Sequence, residues 1–85
     1  MSLEYILKRV IREKGSRSDC SIYLSISLAY MEKENWIEAG IFLKLARQTK
    51  ESYEEQVAVE LIDGVLKTES TEASMRLLES IKDQG

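Results

Sequence analysis

The chain has no histidine and no proline, one cysteine, and four glycines in 85 residues. Without histidine there is no imidazole general base, no Ser-His or Cys-His nucleophile pair, and none of the commonest metal ligand. Without proline, and with few glycines, loops rich in turn residues are missing, which points to an all-helical chain. The lone Cys20 excludes an internal disulfide and a thiolate zinc cluster, and fits a reducing cytoplasm. No apolar run approaches the roughly 20 residues of a membrane span. The segment "MSLEYILKRVIREKG" lacks the apolar core and small-residue cleavage site of a signal peptide, so no processing is expected. Gly15, Gly40, Gly64 and Gly85 stand too far apart for a phosphate-cradling loop. The expectation is a protein that is not an enzyme, with no cofactor and no metal.

What is present is an apolar fraction of 44% beside a charged fraction of 32%, the balance of a packed globule. Residues 1–85 are expected to form one domain that buries roughly 60–65% of its unfolded surface. The net charge of −3 is unevenly spread. Residues 1–17 hold five basic groups against two acidic ones, and the rest of the chain seven against thirteen. Lys8, Arg9 and Arg12 therefore make a basic surface that could meet something acidic. A solvated helix face is the plainer reading, and the acidity of the remaining chain argues against nucleic acid.

Apolar spacing divides the chain into five helices. Leu3, Ile6, Leu7, Val10 and Ile11 follow helical spacing, and Gly15 suits a left-handed cap, so the first helix is predicted over 2–14. Ser18 and Asp19 can cap a second helix over 19–33. Asn35 with Glu38, and Ser52 with Glu55, have the spacing of capping boxes and open helices over 36–49 and 53–67. The polar run Thr68 to Thr71 offers caps for a fifth helix over 71–83. Connections this short predict that consecutive helices pack as antiparallel neighbours.

Within this pattern, 20–52 resembles one tetratricopeptide repeat, a pair of antiparallel helices of about 34 residues with large and small positions in fixed order. Tyr23, Ile26, Ser27, Ala29 and Tyr30 occupy the first-helix positions. Trp36, Ala39, Leu43 and Ala46 occupy the second. Small side chains at Ser27 and Ala39 would let the axes approach, and Gly40 would allow closer contact still. The chain departs from the family at Glu34-Asn35, where a turn glycine is usual, and at Glu51, where proline often ends the repeat. A second, degenerate repeat can be traced through Ala58, Leu61, Ile62, Val65, Ala73 and Leu77 if one residue is deleted. The resemblance implies a stack of helical hairpins and a protein-binding role, as an adaptor or chaperone-like subunit. It also implies that the first helix of the repeat lines a groove, into which Leu24, Leu28 and Met31 would project. A groove of Leu and Met suits a partner helix or apolar peptide.

The helix over 19–33 is apolar nearly all round, as a helix in the middle of an assembly is, and the helices over 2–14 and 53–67 are expected to cover both of its faces unless one face is the groove. On 36–49, Ile37, Ile41 and Leu45 form a further stripe. The following helix is expected to cover it; left open, that stripe would favour a homodimer. Trp36 is expected at the hairpin joint and Cys20 as a small buried residue. Glu32, Glu34, Glu54, Glu55, Glu60 and Asp63 are expected to be solvated.

Overall fold

A computed structural model describes residues 2–12 and 18–82. Those residues form α1 (Leu3–Arg12), α2 (Asp19–Glu32), α3 (Trp36–Thr49), α4 (Tyr53–Leu66) and α5 (Thr71–Ile81), with no strand among them. The all-helical expectation holds, and each helix starts within one residue of its predicted position. Gly15 and the predicted end of the first helix lie outside the described residues.

Side-chain caps explain the sharp starts. The side chains of Ser18, Asn35, Ser52 and Ser70 accept the free N–H groups of Ser21, Glu38, Glu55 and Ala73, each an orphan donor of a first helical turn. At the other end of α2, Glu34 N–H donates to Met31 C=O and Asn35 N–H to Tyr30 C=O, the paired bonds of a Schellman cap. Such a cap needs a left-handed residue, and here Glu34 takes φ 62° where glycine is usual. The turn thus keeps its geometry without the glycine.

The α2–α3 hairpin is the most closely packed pair. Ser27 and Ala39 are both fully buried, and the Ser27 hydroxyl donates to the Ala39 carbonyl at 2.8 Å. Small residues at the crossing let the backbones meet, as their spacing predicts. Trp36 packs half-buried against the core beside the joint. Gly40 is not needed for the approach: a Cβ there would sit 3.8 Å from Leu66 Cδ2, an ordinary contact.

The remaining packing departs from a simple succession of hairpins. α1 packs chiefly on α4 and also meets α5, while α5 leans on α2 more than on α4. Short loops set which helices follow one another, but the apolar faces decide which ones touch. Leu7 of α1, Ala58, Val59 and Ile62 of α4, and Leu77 and Ile81 of α5 converge on one side of α2. The radius of gyration, 11.6 Å, is close to the roughly 12 Å of a compact domain this long.

Polar contacts between helices reinforce this arrangement. Ser21 Oγ donates to Val10 C=O at 2.8 Å, fastening α2 to the end of α1. Glu55, only 9% exposed, accepts from the Ser18 hydroxyl and from the Glu51 N–H at 2.6 Å. The expectation that Glu55 is solvated is therefore corrected. Its carboxylate joins the starts of α2 and α4, and in doing so serves Glu51 rather than the Ser52 N–H of a regular capping box.

The outer face of the α2–α3 hairpin

Leu24, Leu28 and Met31 are 0%, 4% and 0% exposed. The groove-lining role that the resemblance implied for them is thereby corrected: they are core. The tetratricopeptide geometry would leave this face of α2 open, but α1, α4 and α5 pack over it.

The expectation for Ile37, Ile41 and Leu45 is corrected in the opposite sense. α4 does not cover that stripe, because it packs on the other flank of α3. There Gly40 faces Leu66, and Arg47 pairs with Glu60 at 2.6 Å and with Asp63 at 3.8 Å. Ile37 is left 78% exposed and Ile41 49%; Leu45 is half-buried.

This stripe does not stand alone. Helical periodicity places Ile22, Ile26 and Ala29 on the side of α2 away from Leu24 and Leu28. Ile22 and Ala29 are exposed, and Ile26 is half-buried. Between the two stripes runs an aromatic seam. Phe42 stacks on Tyr30 with ring centroids 5.6 Å apart, and meets Tyr23 at 6.2 Å in a tilted pair. All three rings are half-buried, and the two tyrosines each add a hydroxyl to an otherwise apolar seam. No charged residue interrupts α2 between Asp19 and Glu32. Charge returns with Asp19 at the start of α2, Lys33 at its end, Lys44 on α3, and half-buried Glu38 in the first turn of α3, one turn from Phe42.

The sequence marked the α3 half of this face and missed the α2 half. The signal was available, since positions 22, 26 and 29 carry helical spacing with no charge among them. That α2 is apolar on every side concealed which side the fold would use.

The other predicted groups have plainer environments. Arg9 pairs with Glu54 of α4 at 2.8 Å, so the basic surface of α1 is partly neutralised within the chain. Lys8, Arg9 and Arg12 border a shallow depression with Tyr5. Cys20 is fully buried, and its thiol is pushed up to about 11, first by loss of hydration and then by the nearby Glu55 carboxylate, with Lys50 opposing. Such a thiol is a packing residue rather than a nucleophile. Asp63 is held by Lys67 at 3.0 Å as well as by Arg47. Among the described residues no cluster of potential metal ligands occurs, and no helix is long and apolar enough to cross a membrane. A separate depression of about 500 Å³ lies along α4, lined mainly by Leu3, Tyr53, Val57, Leu61 and Val65, with Gln56 and Glu60 at its edge.

Comparison with protein-family models, with curated proteins and with solved structures gives no match.

Proposed function

We propose that the chain is a non-catalytic protein–protein interaction module of a reducing compartment such as the cytoplasm. Its docking surface is the outer face of the α2–α3 hairpin. The observation that carries this reading is the exposure of Ile37, Ile41 and Ile22 around the Tyr23–Phe42–Tyr30 seam. The face spans two helices of 14 residues, each about 21 Å long and set about 9 Å apart, so it measures about 20 by 20 Å. An apolar area of a few hundred Å² is about as large as a monomer exposes, and patches at that limit are often functional, whereas singly scattered apolar residues need no explanation. The tetratricopeptide resemblance supports the same class of role, with the binding surface moved from the inner side of α2 to the outer side of the hairpin. The missing histidine and the buried, poorly ionised Cys20 support the non-catalytic half of the proposal.

Site-resolved photo-crosslinking in the native host tests it. A photoreactive side chain at position 37 or 41 should give an adduct with one identified protein, of this chain or another. The same group at exposed Glu79 should give none. Absence of a specific adduct at 37 and 41 would contradict the reading.

A further inference from the structure

Resting on that reading, we infer that the occupant of the outer face is a second copy of this chain, packed so that the two α2–α3 hairpins form a four-helix layer.

Width is the first reason. A single partner helix seated between α2 and α3 covers a strip about 10 Å across. It would reach Ile26, Phe42 and Leu45 but leave Ile22 and Ile37 at the outer margins, and these are among the most exposed apolar residues of the face, at 41% and 78%. Two helices side by side cover both margins, and the hairpin of a second copy supplies them at the matching spacing.

Charge is the second. A second copy brings to the centre of the contact an uncharged α2 face, so no ion is buried without a partner. Complementary charge is then found at the turn end. With a twofold axis parallel to the helices, α2 of one copy lies antiparallel on α3 of the other, the up-and-down order of four-helix bundles. The turn ends coincide, which sets Lys33 near Glu38 of the second copy, twice by symmetry. At the far end Asp19 meets the neutral Gln48.

Area is the third. Two faces of this size bury on the order of 1,000 Å² in total, at the lower edge of specific interfaces, which predicts a reversible dimer with a Kd of micromolar order. A small domain commonly gains stability in this way.

Analytical ultracentrifugation of the full chain from about 1 µM to about 300 µM tests the inference, a span that brackets a micromolar Kd. The wild type should pass from monomer to dimer. Ile37→Glu with Ile41→Glu should raise the Kd by a factor of about 100 or more, since four carboxylates would enter the apolar contact. Helical circular dichroism at about 1 µM should not change, because both positions are open to water in the monomer. Lys33→Glu alone should weaken the dimer roughly threefold to tenfold, and Lys33→Glu with Glu38→Lys should restore it, as expected of charges at an interface margin. A wild type that stays monomeric at the highest concentration, or a dimer untouched by the Ile37 and Ile41 substitutions, overturns the inference. The two levels of the proposal fail separately. A monomeric protein that still crosslinks from position 37 to a different chain retains the docking face and loses the second copy; one that crosslinks to nothing loses both.

Discussion

The two sides of the α2–α3 hairpin are built from similar residues and meet opposite fates. The inner side, with Leu24, Leu28 and Met31 facing Leu43 and two alanines, is sealed from water. The outer side, with Ile22, Ile26 and Ile41 around three aromatic rings, is equally apolar and lies open or half-open. Hydrophobicity alone does not choose between them. What chooses is the rest of the chain: α1, α4 and α5 all converge on the inner side. One side is buried in the fold, and the other stays open or half-open to water.

This division can be broken most strongly from within. Leu24→Ala removes a fully buried side chain and should lower stability by about 3 kcal/mol, from lost transfer energy plus the cavity left behind. Urea titration would measure it, and a loss below about 1 kcal/mol would mean that the inner side relaxes far more than a packed core does. Next in size is the tie that turns α4 inward. Glu55→Ala leaves the Ser18 hydroxyl and the Glu51 N–H without their shared acceptor, and should cost about 2 kcal/mol. A cost near zero would show water replacing the carboxylate, and hence an inner side less dry than its burial indicates.

Cys20 offers a milder probe of the same dryness. Its thiol is pushed up from 9.0 to about 11 in the folded chain, so between those values the unfolded chain gives up the proton first. The associated stability is complete below about pH 9 and declines as the pH rises toward 11. Thermal unfolding of wild type against Cys20→Ala across that range should show a steeper decline in the wild type than in the variant. Glu34→Gly should act in the other direction, relieving a left-handed non-glycine residue and raising stability by about 0.5 kcal/mol, net of the entropy glycine gains when unfolded. The smallest effect belongs to the outer side. Ile37→Glu with Ile41→Glu, measured on dilute monomer, should shift stability by no more than about 0.5 kcal/mol. That contrast with Leu24→Ala separates a surface that folds the chain from one that does not.

Helix number and helix starts were legible in the sequence because they are local. Ser18, Asn35, Ser52 and Ser70 carry their own hydrogen-bond logic, and Leu3 to Ile11 show their periodicity within two turns. The hairpin crossing was legible too, through the small residues at Ser27 and Ala39. Long-range choices were not. Both sides of α2 are apolar, so nothing in its own residues says which one α5 will cover. Nor does the spacing of Ile37, Ile41 and Leu45 reveal that α4 approaches from the flank carrying Gly40 and Arg47. Glu55 was unreadable for a related reason, since its partner Ser18 lies 37 positions away.

The most direct measurement compares two cysteines on the two sides of the hairpin. In Ile41→Cys, kept reduced, the alkylation rates of the new thiol and of native Cys20 are followed by mass spectrometry at about 1 µM and about 300 µM, on either side of a micromolar Kd. The thiol at 41 should react quickly when dilute and slowly when concentrated, while Cys20 stays slow at both. A rate at 41 that ignores concentration, or a Cys20 that reacts as fast as the thiol at 41, would contradict the division between an inner side that makes the fold and an outer side that receives a second copy.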